Sequence, residues 1–256
     1  MGYDVFEYPL LVFILSWLTL WLATRIGASI LRRSRKLETA VHEDLSTVLV
    51  TTLTLSGLII GFSFSMAINR YEQRKNYEEA EANAIGTEYV RADLLPAPDT
   101  AHLRSLLNQY LDRRLAFYLA RDERELVIIN ARTAQLQSEL WAVVRATAGA
   151  QPTAIAALTV AGMNDVLNTA GYTQAAWWNR IPTGAWMLMM AIAVTSQLLI
   201  GFGAQNAKAE GMLFAVLPFV VSISFLLIAD IDSPRAGLIR VYPQNLASLA
   251  ESLRGH

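Results

Sequence analysis

The chain has 256 residues, 54 % of them hydrophobic and 17 % charged, with a net charge of −1 and no cysteine. That apolar content is out of proportion for an ordinary soluble domain, so a membrane setting is the first expectation. The balanced charge offers no field for gathering nucleic acid, and the missing cysteines exclude disulfide and thiol chemistry.

A bilayer core takes about 20 apolar residues of helix, and four stretches meet that length. The first, residues 8–31, has no basic start and too long an apolar run for a cleaved signal, so it is expected to stay as a span. "RRSRK", from Arg32 to Lys36, follows in a short loop, which the positive-inside rule places in the cytoplasm. Arg70, Arg74 and Lys75 flank the next span on its other side and pull the opposite way. "HED" at 42–44 reads as the acidic start of a helix, since neighbouring residues point in different directions and make a poor metal site.

The second span covers 46–68 and carries two parallel stripes. Gly57, Gly61 and Ser65 recur every four residues, a spacing at which small residues let helices approach closely in lipid. One position on, Leu58, Phe62 and Met66 form a bulky apolar stripe. In a ring of identical helices the small stripe seats the neighbour and the bulky stripe faces the axis, as hydrophobic rings that gate by dewetting. Asn69 and Arg70 then stand at the pore mouth. The plainer alternative has the bulky stripe facing lipid or a bundle core, with the glycines packing one hairpin.

Residues 69–181 are polar but patterned. Leu103, Leu106, Leu107, Tyr110, Leu111, Leu115 and Tyr118 fall at helical spacing. Pro96, Pro98 and Pro152 punctuate the segment. No run alternates with period two, so the insert is expected to be three to five helices and no sheet. Glu78, Glu79 and Glu81 either line a vestibule that draws in cations or sit on a solvated face. Trp17, Trp21, Trp177, Trp178 and Trp186 are expected at interfacial or lipid-facing positions.

The third and fourth spans cover 182–202 and 212–229. After them, Asp230 and Asp232 with Pro234 form either a hard-cation site or a structural turn, the latter with Asp232 bonded to backbone or to Arg70 or Arg74. The fold class is therefore all-α and integral to the membrane. A first transmembrane hairpin occupies 1–68, a helical extramembrane insert 69–181, a second hairpin 182–229 and a tail 230–256. No enzyme constellation, cofactor motif or metal-ligand spacing is found. The expected partners are the lipid bilayer, further copies of the same chain and a permeant inorganic ion.

"GFSFSMAINRYEQRKNYEEAEANAIGTEYVRADLLP", "NRIPTGAW" and "DIDSPRAGLIRV" resemble the bacterial bestrophin-like family, over about Ser46 to Tyr242. The resemblance implies a distant kinship with bestrophins, which are pentameric four-span ion channels of the cell membrane. In those, the second span carries a neck of bulky apolar residues four apart, followed by a basic-aromatic run. Leu58, Phe62 and Met66 match the neck, and Asn69, Arg70, Tyr71 and Arg74 resemble the run. The acidic run that clasps calcium in animal bestrophins has no counterpart after Asp232. Bestrophins keep the helical domain in the cytoplasm, whereas "RRSRK" puts it on the other side. The expected function is thus a homo-oligomeric channel of the bacterial inner membrane. The alternative is a stator-like or other non-conducting scaffold, for which Thr51, Thr52, Thr54 and Ser56 would supply hydroxyls within the span.

Overall fold

A computed structural model describes residues 8–33, 39–203 and 213–254, with side chains from 31 to 45 and at 213 outside that description. Most of the basic loop and all side chains of "HED" therefore lie outside the described residues. The chain is all-α: α1 (Pro9–Arg33), α2 (Thr39–Arg91), a 3₁₀ turn (Ala92–Leu94), α3 (Ala97–Leu119), α4 (Glu123–Ala150), α5 (Ala154–Trp178), α6 (Thr183–Gly203), α7 (Leu213–Asp232) and α8 (Gln244–Arg254). Four segments are long and apolar enough to cross a membrane.

The boundaries follow local chemistry. Pro96 caps α3, and Pro98 sits in its first turn, where a missing N–H costs nothing. Asp122 accepts from the Arg124 N–H at the start of α4, and Thr153 from the Ala156 N–H at the start of α5. Pro218 lies inside α7, a position tolerated where a membrane helix has neighbours to re-satisfy the freed carbonyl.

Two compact units result, one from Met1–Arg70 with Arg180–Arg240 and the other from Tyr71–Asn179 with Val241–His256. Residues 230–240 thus belong with the first unit and 241–256 with the second.

In the first unit α1 packs on α6 and α7. The crossing of α1 and α6 depends on two glycines. A Cβ on Gly27 would overlap the Leu198 carbonyl, and one on Gly201 would overlap the Thr24 carbonyl. The close approach lets the buried Thr24 hydroxyl donate to Gln197 Oε1 at 3.0 Å. Trp186, expected at an interface with lipid or water, is instead 4 % exposed and packs edge-on against Phe225.

In the second unit the apolar positions of α3 face inward as their spacing predicts. Leu103, Leu106, Leu107, Tyr110, Leu111 and Tyr118 are buried, and Leu115 is partly so. They pack with Leu136, Leu140, Met163 and Trp177. Trp177 is a second departure from the interfacial expectation: it lies in this core, 5.1 Å from the Phe117 ring and 5.5 Å from Tyr118. Trp178 beside it is exposed.

Candidate functional site

In the bilayer-crossing part of α2 the fully buried residues are small, with Leu53, Ile59 and Ile60 half-buried beside them. Ser56, Ser63 and Ala67 are buried, at spacings of seven and four. Both stripes that sequence reasoning singled out on this span lie on the remaining surface, whereas Ser56, one of its candidate hydroxyls, is among the buried residues. Leu58 is 53 % exposed, Phe62 64 % and Met66 37 %. Gly57, Gly61, Ser65 and Asn69 are exposed too, and a Cβ on either glycine would meet nothing within 4 Å. Only 11 % of the apolar window of α2 is buried within the chain, against 33 %, 33 % and 44 % for the other three candidate spans. A single copy therefore leaves both stripes to lipid or to other chains.

Three threonine hydroxyls of this span are committed to its own backbone. Thr51 donates to the Thr47 carbonyl and Thr54 to the Val50 carbonyl, each at 2.8 Å, and Thr52 donates to the Val48 carbonyl. Such back-bonding satisfies a hydroxyl without a partner helix.

Arg70, expected beside Asn69 at the pore mouth, turns inward. Its guanidinium reaches Asp232 at 3.4 Å and is largely buried. Asp232 also accepts from the Ile181 N–H at 3.0 Å and lies 3.9 Å from Arg180 Nε, while Arg180 donates to the Ser233 hydroxyl at 2.8 Å. One carboxylate thus ties together the end of the α2 span, the entry to α6 and the end of α7. Asp230 accepts from the Leu238 and Ile239 N–H groups at 2.7 and 2.8 Å. The loop can fold this tightly because residue 237 is glycine: a Cβ there would overlap the Asp230 carbonyl. Pro234 sits within the turn. Each aspartate is engaged by backbone N–H donors, the bonding of a structural turn. Among the described residues no group of three or more His, Cys, Asp or Glu side chains is placed to hold a metal.

Past the membrane, α2 turns a charged stripe inward. Arg74, Glu78, Glu81, Ile85 and Glu88 are all buried, at spacings of four and three that keep them on one face. Arg74 donates to the Ala176 and Asn179 carbonyls and so caps the C-terminus of α5. Glu78 accepts from the Leu246 N–H at 2.9 Å and the Asn245 amide at 2.6 Å at the start of α8. Glu81 forms a bidentate pair with Arg114 at 2.7 and 3.1 Å. Glu78 and Glu81 therefore face neither a vestibule nor solvent; Glu79 alone of the three is exposed. The run of charges reads as surface in sequence, and the only signal to the contrary is its heptad spacing.

The family model of the Bestrophin-like domain matches residues 10–246. None of the curated proteins matches the chain in sequence. Among solved structures, a bacterial bestrophin homologue from Klebsiella pneumoniae, phased on zinc, is similar with a TM-score of 0.63 and 15 % identity, covering 96 % of this chain and 97 % of that one. A variant of that homologue with a leucine-to-threonine change gives 0.63 and 13 % over 96 % and 98 %. One with a tyrosine-to-alanine change gives 0.62 and 15 % over 94 % and 97 %. At such identities the likeness concerns the fold.

Proposed function

The chain belongs to the Bestrophin-like family, a channel family, and on that premise we propose that five copies form an ion channel whose neck is lined by α2. Leu58, Phe62 and Met66 are the neck, Gly57, Gly61 and Ser65 seat the neighbouring copy, and Asn69 meets the ion where it rehydrates. The observation that carries this reading is the exposure of both stripes on the least buried span of the chain. An apolar constriction of this kind holds back ions by shedding water, without a charged gate. Arg70 serves the mouth as a fixed positive charge, held by Asp232. The stator-like alternative needs free hydroxyls or a carboxylate within the span; of its four hydroxyls Thr51, Thr52 and Thr54 are bonded back to the helix and Ser56 is buried, which speaks against it.

The test is single-channel recording of wild type and Phe62→Ala, reconstituted at matched oligomer yield. Shrinking the side chain wets the constriction, so resting current should rise several-fold. Silence from both proteins removes conduction; equal currents from both keep a pore but take Phe62 out of its lining.

A further inference from the structure

Three acids lie on the buried face of α2 beyond the membrane, and the chain treats one of them differently. Glu78 receives a backbone N–H and an amide, and Glu81 receives a guanidinium. Glu88 is fully buried, and neither of its carboxyl oxygens has a hydrogen-bond partner among the described residues. The one cation beside it among the described residues, Arg91 Nη1, stands 4.0 Å away, a turn further along the same helix and partly exposed. On the facing helix α5 the carboxyl lies against Gly162, where a Cβ would overlap both Glu88 Oε2 and Arg91 Nη1. A glycine at that point lets α5 come close enough to exclude water.

A bare carboxylate in such a place has lost its hydration and gained no donor in return. The neutral acid avoids that cost, so the contact between α2 and α5 is built around a protonated Glu88. We propose that Glu88 is a proton-binding site, and that its occupancy sets how tightly α5 packs on the extension of α2. When the proton leaves, the charge must be met by water or by an inward swing of Arg91, and either displaces the Gly162 backbone.

Burial pushes the Glu88 carboxyl up from 4.5 to about 8; the Arg91 charge opposes this and the Asp165 charge on α5 adds to it. Of the other groups nearby, Asp93 in the following 3₁₀ turn is paired with Arg104 at 2.7 Å, and the buried α5 neighbours Thr159, Met163 and Val166 do not ionise in this range. The folded chain holds the proton more tightly than the unfolded one. Glu88 therefore favours the packed state at acid pH, and that preference drains away as pH rises from 4.5 towards 8. Since α2 also carries the Leu58–Phe62–Met66 stripe, the same proton would bias the neck, an extension that rests on the channel reading above.

Hydrogen exchange of α5 around Gly162 reads the proposal directly. The full-length protein in lipid nanodiscs is compared at about pH 6 and about pH 10, after correction for the intrinsic rate. Protection at 157–166 should fall at least about tenfold in wild type and stay level in Glu88→Gln, which keeps the shape of the neutral acid. Equal falls in both proteins overturn the proposal. If Glu88→Gln does not fold, exposed Asp165 carries the test: Asp165→Asn should lower the pH midpoint of the change, and an unmoved midpoint overturns the site. Recording current from the same preparations separates the two readings. A pH-dependent α5 in a protein that never conducts keeps the proton site and removes the channel. A conducting protein with pH-independent α5 does the reverse.

Discussion

Arg114 and Glu81 are 3 % and 1 % exposed and meet through two hydrogen bonds. The guanidinium also lies 4.5 Å from the centre of the Phe117 ring. Burying both charges is expensive, and only their mutual geometry offsets it, so removing one partner is worse than removing both. Arg114→Met should destabilise the chain by about 3–5 kcal/mol, because Glu81 is left charged in an apolar core. Combining it with Glu81→Met should recover most of that loss, and thermal unfolding in detergent of the two variants beside wild type reads the difference. A double variant no more stable than Arg114→Met would mean that Glu81 finds another donor. At this scale sequence reading is weakest. It gave Glu78 and Glu81 to a solvated face or a vestibule because acids are seldom fully buried. It took Asp232 more nearly as it is, since a proline turn beside a carboxylate calls for backbone N–H donors and an arginine, and Arg70 is the arginine that reaches it.

At the scale of elements, α2 has 53 residues, roughly 80 Å of helix against a hydrocarbon core of about 30 Å. Its apolar run gave away the span, but not that the helix runs on unbroken to Arg91. What the pattern does not carry is which glycines are used within the chain and which are left over. Gly57 and Gly61 stand out by their spacing, yet have open space around them. Gly27 and Gly201, single and unremarked in sequence, hold the crossing of α1 on α6. Pairing of small residues across two helices distant in sequence is a tertiary fact that neither helix records alone. The same holds for Trp177 and Trp186, whose composition suits an interface and whose neighbours make them core. The two glycine pairs should therefore respond differently. Gly201→Ala forces a methyl into the Thr24 carbonyl and should cost about 1–3 kcal/mol of overpacking, read as a lower unfolding temperature whatever the state of assembly. Gly61→Leu should leave the fold of each copy intact, as judged by circular dichroism, and shift the assembled protein to smaller species on size exclusion. An unchanged elution would remove Gly61 from the contact between copies.

The whole molecule shows where a single chain stops being informative. Four spans, an all-α fold and the channel family follow from apolar runs, helical spacing and the blocks around "NRIPTGAW" and "DIDSPRAGLIRV". Assembly is a property of surfaces that one copy leaves uncovered, and here those surfaces have a particular character. The exposed face of α2 between 57 and 66 alternates small residues with bulky apolar ones, whereas its fully buried positions are the small residues Ser56, Ser63 and Ala67. A span meant for lipid alone has no use for Gly57 and Gly61 on its outer face, because lipid is as apolar as leucine and packs no better against glycine. Closed rings of identical chains satisfy such a face when each copy's small stripe takes the side of the next. On the five-copy reading proposed from the family, native mass spectrometry of the protein released from mild detergent should give one dominant species of five 28.3 kDa chains. A different closed number would keep the neck and change its radius. A monomer would leave Leu58, Phe62 and Met66 facing lipid, with no axis for an ion to follow.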